Sequence, residues 1–270
     1  MRRVHPEHFA AYRIAGFDLF KGQHERDAGF FERINIPTGT CSHAGGVKID
    51  VHCATNVEGL YAIGDNACGP HQGTHPYGGT NLAFCLTSGN RAAKSVAEFV
   101  SATQNSSLPD REILDQGREH IERLSTFLTR DKGLDADKVT YNMQSCFVNI
   151  KAITSRSEYL QMAIRELEKV KQEDYPQLKA FDYHDLMKAL GVRSMMVLAE
   201  GVLKSIICRE ESRGVVARED FPMTDNINFL KWVVVEKDGA GMRVFTEDVP
   251  TPILQAPRSK YEPTEGSDLH

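Results

Sequence analysis

Apolar positions change their spacing twice along the chain, and the changes divide it. Residues 1–35 mix aromatic and charged side chains without a clean period, until Pro37-Thr38-Gly39-Thr40 breaks the chain. From Gly45 to Asp65 the pattern predicts short strands: Val47-Lys48-Ile49-Asp50-Val51 alternates, and Gly59-Leu60-Tyr61-Ala62-Ile63 is an apolar run stopped by Gly64. A glycine-rich loop covers 69–80. The spacing of Leu82, Ala83, Leu86, Ala92, Ala93, Val96, Ala97 and Val100 then predicts a helix over 81–100 packed on a sheet.

Polar residues 101–109 read as a linker. Beyond it Ile113, Ile121, Leu124, Phe127 and Leu128 mark an amphipathic helix that ends before Gly133. Steps of three to four residues continue through Phe147, Ile150 and Ile153, through Leu160, Ile164, Leu167 and Val170, and through Leu186, Leu190, Met195, Leu198, Val202 and Ile206. Such faces bury one another in a bundle. Period two returns at the end, where 229–236 and 242–247 flank Lys237-Asp238-Gly239-Ala240-Gly241 as a hairpin. The expected organisation is a lead-in over 1–35, an α/β segment over 36–104, a helical bundle over 105–225, and a β-hairpin with tail over 226–270.

Charge and cysteine usage narrow the class. A net charge of -5 among 26% charged residues leaves no basic field for a nucleic-acid backbone, so nucleic acid is excluded as a partner. The six cysteines, at 41, 53, 68, 85, 146 and 208, form no CxxC pair and no disulfide framework, which points to a reducing compartment. Nowhere do eighteen apolar residues run together, and the first residues lack a signal-peptide pattern. A cytoplasmic location is expected, with membrane association only through partners.

The segment richest in chemistry is Thr55 to Asp65, a strand that ends in Gly64 and an acid at the loop. Ligands of doubly wound sheets sit beyond the carboxyl ends of strands, where an acid accepts hydrogen bonds from sugar-like hydroxyls and a glycine lets the ligand approach the backbone. An ordinary strand–turn with a capping Asp reads the same way. Next, Gly73-Thr74-His75-Pro76-Tyr77-Gly78-Gly79-Thr80-Asn81-Leu82 runs into a helix whose leading N–H groups favour negative charge. The charge run Arg209-Glu210-Glu211-Ser212-Arg213-Gly214, with Arg218-Glu219-Asp220-Phe221-Pro222, Asp225 and Trp232 after it, would by default be a solvated face.

Together these segments resemble the C-terminal half of flavoproteins of the succinate dehydrogenase and fumarate reductase family. Thr55–Asp65 is similar to the family's second FAD motif, whose acid meets the ribityl chain. Residues 73–82 resemble the loop and helix start beside the flavin pyrimidine edge, Cys41–Val47 the His-containing Gly-Gly segment beside the ring, and 209–222 the Glu-Ser-Arg-Gly and Arg-Glu-Asp signature. The resemblance is strongest over 55–93 and 198–232. It implies an FAD-dependent oxidoreductase with a partial Rossmann-like FAD-binding half-domain. Gly64, Asp65, Gly78, Gly79, Asn81 and Leu82 would hold the cofactor, and His43 and His75 would orient a small-molecule substrate or move a proton. Arg91 matches a family arginine in the helix after the flavin loop.

The sequence also departs from the family. No G-x-G-x-x-G turn for the ADP pyrophosphate is present, and Pro76 stands where the family's dicarboxylate-clamping arginine belongs. The resemblance therefore implies a C-terminal portion that needs an N-terminal half-chain or an electron-transfer subunit and is inactive by itself. Succinate and fumarate are disfavoured as substrates. Cys68, His71 and His75 have metal-ligand types at close spacing, but no fourth ligand is evident, so no metal is assigned. The competing reading is a non-catalytic remnant whose helices bind a partner. Yellow colour with a flavin absorbance band would separate the two.

Overall fold

The computed structural model describes residues 45–68, 80–103, 110–148, 154–213, 216–239, 241–251, 253 and 256–261. It divides into two compact units: residues 1–100 with 213–215 and 262–270, and Ser101–Ser212 with Val216–Tyr261.

In the first unit the expected strands shrink to isolated bridges, Val47 with Ala67 and Ala54 with Tyr61. The cause is local. The Asp50 carboxylate accepts from the N–H groups of His52 at 2.8 Å and Ala54 at 2.9 Å, turning the chain where alternation predicts extension. Cys53 completes the turn in the left-handed region, with φ 65°. Val51 and Leu60, expected to be strand residues, are exposed.

Helix α1, Thr80–Ala102, forms where the spacing predicts it, but of the predicted stripe only Ala92 is buried. Leu82, Leu86, Val96 and Val100 are exposed. Ser88 and Ala92 are buried, and Cys85, Ser95 and Phe99, on the same stripe, are half-buried. Phe99 meets Tyr61 edge-on, ring centroids 6.4 Å apart. Small residues let the preceding segment approach α1 closely; a leucine stripe would hold it off.

Among the described residues the second unit holds four α-helices: α2, Asp110–Thr129; α3, Ala136–Val148; α4, Ser157–Lys169; and α5, Tyr183–Cys208. Side-chain caps set two of the starts. The Asp135 carboxylate accepts from Lys138 N–H at 2.7 Å, and that of Asp182 accepts from Asp185 N–H at 2.8 Å. One core joins Phe127, Val139, Met143, Leu160, Ala163, Leu167, Val170 and Leu178 to the α5 stripe Ala189, Val192, Met196, Ala199 and Leu203. That stripe replaces the one predicted: Leu198 and Val202 are exposed, whereas Leu186 and Ile206 border the core. Because α5 is apolar on more than one side, periodicity alone cannot say which side is covered. Ile150 and Ile153 lie outside the described residues.

Between α2 and α3 the chain crosses the segment after α4. Leu134 N–H donates to Gln177 O at 2.9 Å, and Lys179 N–H to Leu134 O at 2.8 Å. A Cβ on Gly133 would lie 2.2 Å from Gln177 O, so only glycine fits.

The described residues also form three two-stranded sheets: β1, Thr154–Ser155, parallel to β2, Ala217–Arg218; β3, Thr224–Asp225, antiparallel to β6, Lys260–Tyr261; and the hairpin of β4, Lys231–Asp238, with β5, Gly241–Asp248. The hairpin register ends at Asp238 opposite Gly241, leaving a two-residue turn shorter than the five-residue one expected.

Part of the charge run after α5 is buried, while Glu210, Glu219 and Asp220 stay exposed. Arg218 is 1% exposed and Glu211 0%. The Arg218 guanidinium donates to Ile206 O at 2.6 Å and Arg209 O at 2.8 Å, satisfying carbonyls at the end of α5. It also donates to Asp220 Oδ1 at 2.9 Å, Asp220 Oδ2 at 2.8 Å and Ser157 Oγ at 2.7 Å, and its plane stacks 4.9 Å from the centre of the Phe221 ring. Asp220 Oδ2 in turn accepts from Ser157 N–H at 2.8 Å at the start of α4. Glu211 Oε1 pairs with Arg209, and Oε2 accepts from Asp225 N–H at 2.8 Å.

Burial would raise the Asp225 carboxyl, but hydrogen bonds from Lys260 and Asn228, and from the N–H groups of Asn228 and Ile227, outweigh it. Asp220 behaves alike, burial being outweighed by Arg218 and Ser157. Both carboxyls titrate below the ordinary range near pH 3.9, so their stabilisation is present above that pH and lost as pH falls below it. The urea midpoint should therefore drop steeply below about pH 4, and Asp225→Asn should flatten that drop. Arg218→Met should cost about 3–5 kcal/mol in urea unfolding, because Asp220 and the α5 carbonyls lose their partner. Arg243→Ala, which removes the exposed pair with Glu236, should cost less than about 1 kcal/mol.

Candidate functional site: the Gly64–Asp65 turn and helix α1

The Thr55–Ile63 segment ends in a single 3-10 turn, Gly64–Asn66, pinned at both ends. Ala67 N–H donates to Gly64 O at 3.0 Å, Val47 N–H to Asn66 O at 2.8 Å, and Cys68 N–H to Val47 O at 2.7 Å. Gly64 has φ +53°, which an L side chain adopts only with strain. Its Cα faces α1 so closely that a Cβ would lie 3.1 Å from Cys85 Sγ. The Gly64 N–H donates to Ser88 Oγ at 3.0 Å. Two demands meet at this residue, a left-handed backbone and contact with a helix, and glycine alone satisfies both.

Asp65 follows at once and is exposed, and its carboxylate makes no hydrogen bond or ion pair among the described residues. It neither caps α1 nor meets a buried arginine. A carboxylate accepts only, so this one is available to ligand hydroxyls.

Of the other predicted site residues, Leu82 is exposed on the first turn of α1, and Asn81 lies in that turn. No acidic residue occupies the turn, leaving its N–H end electropositive. His43, His75, Gly78 and Gly79 lie outside the described residues, as do His71 and Cys41. Arg91 lines a surface groove with Val51, His52, Lys94, Ser95 and Glu98. No group of three metal-ligating side chains occurs among the described residues. None of their helices is long and apolar enough to cross a membrane.

Sequence reasoning missed Cys85, Ser88 and Cys53. Burial raises the Cys53 thiol, which the Arg91 charge only partly offsets, so Cys53 stays protonated and points its Sγ at Ser88 O, 3.5 Å away. Nothing in the sequence marked Ser88, which stands within the polar and small stretch Thr87-Ser88-Gly89-Asn90-Arg91.

An acid presented on a glycine turn against a following helix is the arrangement that the resemblance to flavoproteins implies. The comparisons with known proteins agree. Residues 9–82 match an FAD binding domain, and residues 140–267 match the fumarate reductase flavoprotein C-terminal family. The chain belongs to the succinate dehydrogenase and fumarate reductase flavoprotein family, and FAD is its cofactor.

Among curated relatives, the fumarate reductase flavoprotein subunit of Mycobacterium tuberculosis is 30% identical over 205 residues, 73% of this chain and 35% of that protein. An uncharacterized FAD-dependent oxidoreductase of Methanocaldococcus jannaschii is 30% identical over 70% of this chain and 34% of its own length. The chain thus spans about a third of these relatives. Among solved structures, a chain of E. coli quinol fumarate reductase superposes with TM-score 0.71 at 25% identity, covering 80% of this chain and 38% of that one. Adenylylsulfate reductase of Archaeoglobus fulgidus shares the fold, with TM-score 0.61 at 20% identity over 76% of this chain and 34% of its own.

Gly64→Ala should destabilise the chain by about 1–3 kcal/mol through forced left-handed backbone. Adding Cys85→Ala should restore only part of this, since it relieves the contact and not the dihedral. Full recovery of the thermal midpoint in the double variant would show that crowding, rather than backbone conformation, selects glycine.

Proposed function

We propose that the chain supplies the ribityl and ring side of the FAD site in an FAD-dependent oxidoreductase. The observation that carries this reading is the free Asp65 carboxylate, held out on a turn whose glycine is clamped to α1. The donor and acceptor chemistry fits the group: Asp65 would accept from ribityl hydroxyls, and the N-terminal N–H groups of α1 would face developing negative charge. Bound flavin supplies the hydride acceptor or donor. Gly78 and Gly79 would let the backbone approach it, with Asn81 and Leu82 beside it at the helix start. His43 and His75 would orient the substrate or hold a proton at its reacting carbon.

The substrate is a small molecule other than succinate or fumarate. Proline donates no hydrogen bond, and Pro76 replaces the guanidinium that would clamp a dicarboxylate in two-point fashion. A partner chain completes the ADP side of the site or accepts electrons. Support for a partner comes from the M. tuberculosis relative, which is itself named a subunit.

Titrated alone, the chain should bind FAD more weakly than micromolar, because these 270 residues hold no G-x-G-x-x-G turn for the pyrophosphate. Asp65→Ala should weaken that binding by a further 1–3 kcal/mol or thereabouts, read by flavin fluorescence. Equal affinity in the two proteins would remove Asp65 from the site. Dye-linked assays with succinate and with fumarate, FAD added, should show no turnover above background.

A further inference from the structure

We infer that Ser88 is the positioning residue for Asp65, acting through the Gly64 amide, and that the hydroxyl in the middle of α1 fixes where the flavin-facing carboxylate is held. This rests on the flavin reading of the Gly64–Asp65 turn and adds to it the residue that sets its geometry.

Ser88 is 1% exposed, one of the most deeply buried polar side chains described. Its hydroxyl hydrogen goes to Phe84 O at 2.7 Å, one turn back along α1, which leaves the oxygen lone pairs to accept from Gly64 N–H at 3.0 Å. The Ser88 carbonyl meanwhile lies 3.5 Å from Cys53 Sγ. One residue therefore holds two segments against α1: the turn that carries Asp65, through its side chain, and the bend at Cys53, through its backbone.

No other side chain accepts from the Gly64 N–H in the described structure, and that amide is buried, so losing the hydroxyl leaves it without a partner. Asp65 is the next residue, and its carboxylate makes no hydrogen bond or ion pair among the described residues. Its position is inherited from the backbone on either side, which Val47 N–H holds at Asn66 O and which Ser88 ties to α1 at Gly64. Cys85 supplies the steric half of the clamp, and Ser88 supplies the directional half.

The test compares the full chain with Ser88→Ala, Ser88→Thr and Asp65→Ala, and with Ser88→Ala combined with Asp65→Ala. Amide exchange by NMR reads the clamp without any flavin: the Gly64 amide should exchange about tenfold faster or more in Ser88→Ala and stay protected in Ser88→Thr. FAD titration reads the consequence. Ser88→Ala should weaken binding nearly as much as Asp65→Ala, about five- to a hundredfold, and the double variant should be no weaker than Asp65→Ala alone.

A Gly64 amide still protected in Ser88→Ala overturns the clamp whatever FAD does, and additive losses in the double variant overturn positioning through Asp65. Unchanged FAD affinity in Asp65→Ala, with Gly64 protection lost in Ser88→Ala, overturns the flavin reading and leaves the clamp standing. If Ser88→Ala loses its far-UV helical signal, Ser88→Thr carries the test, and loss of Gly64 protection there overturns the proposal.

Discussion

The Arg218 guanidinium, withdrawn from water, has to find a partner for each of its N–H groups within the protein, and that requirement organises the second unit. An arginine cannot shed its charge on burial, so the surroundings must supply both a counter-charge and a full set of acceptors. Asp220 gives the charge, Ser157 a hydroxyl, and Ile206 and Arg209 the carbonyls left open where α5 stops. The end of one helix and the start of another are thereby fixed to the same planar group. A flexible ammonium would bind any one of these acceptors, but it could not hold all four in a single plane.

Around it a polar layer follows the same rule. Glu211 is fully buried between Arg209 and the Asp225 amide, and Ser212 Oγ accepts from Arg218 N–H at 2.8 Å while donating to Phe221 O at 2.9 Å. Asp225 closes the turn that follows and pairs with Lys260 of β6. Buried charges cost more to leave alone than they return when paired, so such a layer specifies one arrangement more than it adds stability. The apolar core of Val139, Leu160, Leu178, Val192 and Leu203 supplies the driving force, and the polar layer supplies the register.

The Gly64 turn repeats that logic on a smaller scale. A binding acid must be free to meet its ligand, so it cannot be held by its own hydrogen bonds, and its placement falls to neighbours that are themselves fully engaged. Gly64 and Ser88 are buried and bonded; Asp65 is exposed and unbonded. Rigidity one residue away from the carboxylate lowers the entropic cost of using it.

The sequence by itself determined that helices dominate the stretch from Ile113 to Ile206, through three-to-four spacing, and it carried the family in two short segments, 55–65 and 209–222. Chemistry of that kind is local, because motif residues keep their identity whatever packs around them. Which face of α1 and of α5 turns inward was decided only in the tertiary structure. Leu82, Leu86 and Leu198 outscore Ser88, Ala189 and Ala199 on any apolar scale, yet close approach of backbone selects the small residues. The burial of Arg218 and Glu211 was equally invisible, since a charge run reads as solvated until the acceptors that satisfy it, 60 or so residues away at Ser157, are brought alongside.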